Sequence, residues 1–302
     1  VSESARTRGQ ITSDEIASQP DCWIRAQEQA RSGLSGLPEP GERVLALGCG
    51  TSYYVAAGYA WLREQRGHGQ TDAVIASELP PVIREYDRVV AISRSGTTTE
   101  VHQALLRLRD NARTTAILGA LDTPIASLAT DIVDLSYADE RSIVQTRFPT
   151  TVLTLLRTQL GDDAHAQADL VSSGKQATNA EVSEAAPRQL VILASGWAAS
   201  LAQEAALKCR ESAGMWAEAY ATGEYRHGPI SAARPGTLVW AMTPLSDVEI
   251  AAIEATGARI HHGGTEPLSE LVLLQRHAIA WAASVGRDAD VPVHLTRSVV
   301  AL

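Results

Sequence analysis

The sequence predicts an α/β protein built from two doubly wound halves, each a parallel sheet flanked by helices. Two observations carry that prediction. The first is a recurring unit of an apolar run, a small polar loop and a helix-period pattern, seen in RVLALGCGTSYYVAAGYAWLREQ (43–65) and again in RVVAISRSGTTTEVHQALLRLRD (88–110). Unbroken apolar runs of strand length mark strands buried on both faces, as in parallel sheets covered by helices. The second is self-similarity: QLVILASGWAASLAQEAALKCRE (189–211) lies on 43–65 at a constant offset of 146 residues, strand on strand and loop on loop. That spacing is an internal duplication rather than a short-period repeat.

Taken in order, SDEIASQPDCWIRAQEQA (13–30) reads as a short helix with Ser13 as N-cap and a proline break after Ile16, giving a helical arm over 1–42. A first α/β domain follows over 43–160, with further strands at TTAILGA (114–120) and DIVDLSY (131–137). It closes on a helix around FPTTVLTLLRTQL, whose Pro149 falls in the first turn. The polar stretch 161–187 reads as a helical linker. The second domain, 188–302, adds strands in GTLVWAMTPLSDVEI (236–250), which echoes RVVAISRSGTTTEV, and in GARIHHGG (257–264).

Composition excludes several function classes. The net charge of −9 offers no electrostatic footprint for nucleic acid or an anionic membrane. No apolar run reaches the roughly 18 residues of a membrane span, and the first residues lack a signal-peptide core, so the protein is expected to be cytoplasmic. Cys22, Cys49 and Cys209 lie far apart without CxxC spacing, which argues against a zinc site or a disulfide scaffold. Only two lysines occur, Lys175 and Lys208, in a chain whose other basic residues are arginine.

SRSGTTTE (93–100) lies between a strand and a helix, where hydroxyls and helix-start amides accept a phosphate without needing many lysines. The blander reading is an ordinary turn capped by Thr97 or Thr98, with Glu100 favouring the helix dipole. A matching loop, GCGTS, follows the strand of the preceding unit, and two such loops at neighbouring strand ends converge on one point. Neither fits a Walker or dinucleotide pattern, so no nucleotide cofactor, and no other cofactor or metal, is expected. The matching loops of the second half, SGWAAS and MTPLSD, lack that hydroxyl content. Glu204, Lys208 and Glu211 are spaced i, i+4, i+7 and share one helical face, which on a generic helix is a solvated row of salt bridges. His227-Gly228-Pro229 likewise reads as a turn, and a lone histidine is usually structural.

These residues also carry a resemblance. EAALKCRESAGMWAEAYATGEYRHGP (204–229) is similar to the pattern E-x-A-L-K-x-x-E-x-x-x-x-x-A-E-A-Y-x-x-G-E-x-x-H-G-P of the SIS (sugar isomerase) family, and CGTS, SxSGxTxE, EIASQP and the tail DVPVHLTRSVV match in the family's order. The resemblance covers nearly the whole chain and is nearest to the isomerase portion of glutamine-fructose-6-phosphate amidotransferase. It implies two tandem SIS domains, a homodimer and a hexosamine 6-phosphate or related sugar phosphate as substrate. Thr51, Ser52, Ser93, Arg94, Ser95 and Thr98 would hold the phosphate. Glu211 would be the base acting at carbons 1 and 2, Lys208 would steady the developing oxyanion, and His227 would help open the sugar ring, reaching the neighbouring subunit's site. The segment ADERSIVQTR (138–147) resembles the loop that lines the sugar, with Glu140, Ser142 and Val144.

Two departures shape the expected reaction. No glutaminase segment precedes the pair of halves, and Arg297 stands where the family's tail, P-R-N-L-A-K-S-V, places a lysine that forms a Schiff base. A guanidinium stays protonated and makes no imine. An amidotransferase is therefore not expected. The expected enzyme is an isomerase or deaminase of an aminohexose 6-phosphate, abstracting the carbon-2 proton. The alternatives are a dehydratase or lyase that eliminates the 3-hydroxyl of N-acetylglucosamine 6-phosphate, and a non-catalytic phosphosugar sensor. A sensor has no need of Glu211, Lys208 and His227 together.

Overall fold

The computed structural model describes residues 7–264 and 266–298. Along the chain run α1 (Gln10–Ala17), α2 (Gln19–Arg31), β1 (Val44–Gly48), α3 (Thr51–Gln65), β2 (Thr71–Ile75), β3 (Arg88–Ser93), α4 (Thr99–Leu108), β4 (Arg113–Leu118), β5 (Asp131–Asp134), α5 (Arg147–Gln159) and α6 (Ala164–Asn179). Then come β6 (Gln189–Ala194), α7 (Ala198–Ala213), β7 (Ala217–Ala221), α8 (Thr222–Tyr225), β8 (Thr237–Ala241), α9 (Asp247–Glu254), β9 (Arg259–His262) and α10 (Pro267–Ser284).

The strands form two parallel sheets, ordered β2-β1-β3-β4-β5 and β7-β6-β8-β9. The duplication seen in the sequence becomes a duplication of topology. In each sheet the first strand lies between the second and the third, pairing Ala46 with Val90 in one and Ile192 with Trp240 in the other. The central strands β1 and β3 are buried along their whole length, which accounts for their uninterrupted apolar sequences. β2 and β7 lie at sheet edges and are only partly buried, and their sequences, TDAVI and AEAYA, are correspondingly mixed.

The chain divides into two compact units that interleave along the sequence. The first-sheet unit comprises Gln19–Glu140, Arg147–Val171 and, of the described tail, Thr296–Ser298; the second-sheet unit comprises the described residues up to Ser18, Arg141–Thr146 and Ser172–Leu295. The contiguous division expected from the sequence is thus crossed at three places: the arm is shared between units, a six-residue loop is exchanged, and the tail returns to the first. In the first-sheet unit, Leu45, Leu47, Val89, Ala91, Leu105 and Leu118 form the centre of the core under α4. Burying a side chain of this size contributes about 1.5–3 kcal/mol. In the second, Val191, Leu193, Val239, Ile253 and Tyr225 do the same under α9.

The arm departs from expectation in its cap. It is two helices, and Ser13 lies inside α1 rather than before it; Gly9, in the left-handed region, is the N-cap. The first amides of α1 donate instead to carboxylates far along the chain, Gly9 N to Asp288 Oδ1 at 2.8 Å, and Ile11 N and Thr12 N to Asp290 at 2.9 Å each. Acidic side chains at a helix start satisfy its free N–H groups as a local serine does. The strand expected over 131–137 ends at Asp134 and continues as a 3-10 turn over Ser136–Ala138.

Candidate active site

In the first sheet the winding direction reverses between β1 and β3, so the loops leaving their carboxyl ends start side by side. In open α/β sheets this switch point is where ligands bind. The loop after β1 delivers Thr51 and Ser52, both buried, in the first turn of α3. Gly48 allows this: a Cβ there would stand 2.7 Å from the Ser52 backbone carbon and Cβ. The loop after β3 is folded by its own hydroxyls. Gly96 N donates to Ser93 Oγ at 3.1 Å, and Thr97 N and Thr97 Oγ1 donate to Ser95 Oγ at 3.3 and 3.1 Å.

The capping expected of a merely structural turn is not made. Thr98 is the N-cap residue of α4 and its side chain does not bond the first-turn amides; the N-cap of α3 is Gly50, which has no side chain to do so. The equivalent helix of the second sheet is different: Ser246 and Glu249 close a complete capping box on α9, which places a carboxylate where an anion would sit. A capping box of that kind disfavours an anion at the second switch point. Cys49, between the loops, has its thiol pushed up by burial and by the Glu100 carboxylate, so it is a poor nucleophile there.

Gly96 adopts φ 65°, and a Cβ on it would collide with the Thr123 side chain. Gly96→Ala is expected to lose about 1–3 kcal/mol of stability in denaturant titration, the cost of holding an alanine in that conformation or unfolding the loop. A variant as stable as wild type would show that the loop is not built around this residue.

Arg94 is 2% exposed, and its Nη2 donates to the Arg297 carbonyl at 2.9 Å. The resemblance implies Arg94 as a phosphate ligand; in the structure its side chain is internal. Gly119, at the end of β4, makes room for it, since a Cβ there would lie 2.9 Å from Arg94 O and 3.3 Å from Arg94 Cγ. The 139–147 segment is also turned inward. The Glu140 carboxylate accepts from Arg147 N at 2.9 Å and Phe148 N at 3.3 Å, capping α5 from seven residues upstream. Ser142 donates through its hydroxyl and amide to the buried carboxylate of Glu15, which also accepts from Arg141 N at 2.6 Å, and the Val144 side chain is buried. Glu140 belongs to the first-sheet unit and Ser142 and Val144 to the second. Glu15 opens the EIASQP match, but the partners of its carboxylate lie more than a hundred residues away, where no local pattern points to them.

In the second-sheet unit the alanine-rich sequence of α7 favours a helix that packs closely on β6, β7 and α10, and Gly214 ends it in the left-handed conformation. Glu204, Lys208 and Glu211 form a connected row, but not a solvated one. Lys208 Nζ lies 2.6 Å from Glu211 Oε2 and 3.3 Å from Glu204 Oε1, with side-chain exposures of 1% for Lys208, 0% for Glu204 and 19% for Glu211. Glu211 is thus the member of the row that reaches solvent. His227 is exposed in the turn after α8, its N–H donating to Glu224 O at 3.0 Å. Glu218 accepts from Gln189 Nε2 and Trp216 Nε1 and serves the edge strand β7. No group of three or more metal-ligating side chains occurs among the described residues, and none of their helices is long and apolar enough to cross a membrane.

The fold and its loops define a doubly wound α/β protein with two helix starts at one switch point, neither capped by the side chain of its own N-cap residue. Residues 39–159, which hold the first sheet, match the SIS domain. Among curated relatives, glutamine-fructose-6-phosphate aminotransferase of Sulfurisphaera tokodaii is 29% identical over 294 residues, covering 85% of this chain and 50% of the relative. The enzyme of that name from Sulfolobus acidocaldarius is 26% identical over 293 residues, with the same coverage. The chain thus spans about half the length of these relatives. The structure of glucosamine-6-phosphate deaminase from Thermotoga maritima superposes with a TM-score of 0.77 at 24% identity, covering 96% of this chain and 99% of that one. Tagatose-6-phosphate ketose/aldose isomerase from Escherichia coli gives 0.74 at 19%, covering 94% and 96%. At these identities the structural likeness establishes the fold alone.

Proposed function

We propose that the protein is a phosphosugar isomerase of the aminosugar deaminase type, built as two SIS domains and acting on a hexosamine 6-phosphate. The observation that carries this reading is the Lys208–Glu211 contact: a carboxylate open to solvent, fixed at 2.6 Å by a buried ammonium. A charged lysine is expensive to bury, and a binding module has no use for one held against a reachable carboxylate. The names of the relatives and of the superposed structures, all acting on hexose phosphates, support the same substrate class.

In this reading Thr51, Ser52, Ser93, Ser95 and Thr98, with the first-turn amides of α3 and α4, hold the phosphate. Arg94 shapes their loop from inside. His227 assists opening of the sugar ring and serves the neighbouring subunit of a dimer. Glu211 takes the proton from carbon 2 of the open aldehyde, and the electron pair of that C–H bond moves to form the carbon 1–carbon 2 double bond. The carbonyl oxygen becomes the oxyanion, which Lys208 steadies. Glu211 returns the proton to carbon 1, leaving an imine at carbon 2, and water hydrolyses it to a ketose phosphate and ammonia.

Incubation with glucosamine 6-phosphate tests the reading: ammonia and fructose 6-phosphate are expected in equal amounts. Loss of water from N-acetylglucosamine 6-phosphate, with no ammonia from the first compound, would replace it by the dehydratase. A rise in melting temperature with no turnover of either would leave a sensor.

A further inference from the structure

The segment Thr296–Ser298 returns to the first-sheet unit and is fastened there at both ends of one arginine. The Arg297 guanidinium takes both oxygens of Asp139, at 2.6 and 2.8 Å, and donates to the Glu140 carbonyl. The Arg297 carbonyl accepts from the buried Arg94 at 2.9 Å, and the next residue, Ser298, accepts at its Oγ from Thr97 Oγ1 at 2.9 Å. Arg94 and Thr97 belong to the hydroxyl loop after β3, and Thr97 also touches Ser95 Oγ.

We propose that Asp139 and Arg297 are positioning residues of the phosphate site, acting through the tail on the loop Ser93–Thr98. This rests on the phosphate reading of that loop given above. Nη2 of the guanidinium spans both Asp139 oxygens while Nη1 holds the Glu140 carbonyl, so the two nitrogens together fix the direction of the tail as well as its place. Fixed in this way, the tail presents one carbonyl to Arg94 and one hydroxyl to Thr97. Releasing it takes an acceptor from a buried guanidinium and frees the hydroxyl that spans the loop, so the loop loses the shape its ligand needs. Asp139 and Arg297 need not touch the ligand to affect its binding.

The test uses calorimetric titration with glucosamine 6-phosphate, together with hydrogen exchange at residues 94–98 and 296–298. Asp139→Asn and Arg297→Ala are each expected to weaken binding about five- to tenfold, and the double variant no further than either single, because the groups act as one pair. Arg297→Lys, which keeps the charge and loses the second nitrogen that holds the Glu140 carbonyl, should fall between Arg297→Ala and wild type. Exchange in both segments should rise in step with the loss of affinity. Faster exchange with unchanged affinity would overturn the proposal, as would additive losses in the double variant. If wild type itself does not bind the sugar phosphate, the phosphate reading fails and this inference falls with it. If wild type and all variants bind equally, only the inference fails.

Discussion

The Glu211→Gln protein is expected to turn over glucosamine 6-phosphate roughly 10²- to 10⁴-fold more slowly than wild type, with the whole loss in kcat. Glutamine has the shape of glutamate, and its amide oxygen still accepts from Lys208, so the 2.6 Å contact persists without the charge. What disappears is the ability to take a proton. Because Glu211 is the solvent-reaching end of a buried row, the change removes no core contact, and the melting temperature should move little. KM should also stay near the wild-type value, since the phosphate is held by other residues. A Glu211→Gln protein with full turnover would sink the assigned base, and one with raised KM and normal kcat would make Glu211 a binding residue. The same variant tests the dimer. If His227 serves the neighbouring site, mixing Glu211→Gln with His227→Ala subunits rebuilds one intact site in each mixed dimer and restores about one quarter of wild-type activity. No recovery on mixing would place His227 in its own subunit's chemistry or outside the chemistry altogether.

What the sequence made legible follows from how local each signal is. The apolar runs of β1, β3, β6 and β8 announce themselves because both faces of a central parallel strand must be apolar. β2 and β7 carry no such run for the converse reason: as edge strands they are only partly buried, and AEAYA sits in a stretch dense with carboxylates. The i, i+4, i+7 spacing put Glu204, Lys208 and Glu211 on one face but left open whether it faced water. Burial at 1% or less for Glu204 and Lys208 answers that, and burial is a property of the packed helix that spacing does not encode. The inward turn of Arg94, the capping of α5 by Glu140 and the anchoring of Arg141 and Ser142 by Glu15 all depend on contacts that no local pattern contains. Ser13 failed as a cap for the same reason. The true acceptors, Asp288 and Asp290, lie at the other end of the chain.

Lys208→Met is expected to cost about 3–5 kcal/mol of folding stability, read as a large fall in the denaturation midpoint. Methionine fills nearly the same space, so the loss is not one of packing. It comes from Glu204, fully buried, which loses the ammonium 3.3 Å away, while Glu211 loses its contact at 2.6 Å and turns to water. The diagnostic variant is Glu204→Gln/Lys208→Met, which removes both buried charges and should recover a substantial part of the stability, since two neutral side chains in a buried site cost less than one unpaired ion. A Lys208→Met protein as stable as wild type would show that the ammonium is not the partner of Glu204. If the double variant folds well and yet does not turn over substrate, the charge row is not there for stability: replacing a buried ion pair by neutral groups is often neutral or stabilising, so retention of an ammonium at that depth requires a different reason. Glu211 supplies one, because a base that must give up and regain a proton needs a fixed positive neighbour that does neither. Glu204 then has a role of its own. On the proposed mechanism it is the buried carboxylate, 3.3 Å away, that balances the ammonium facing Glu211.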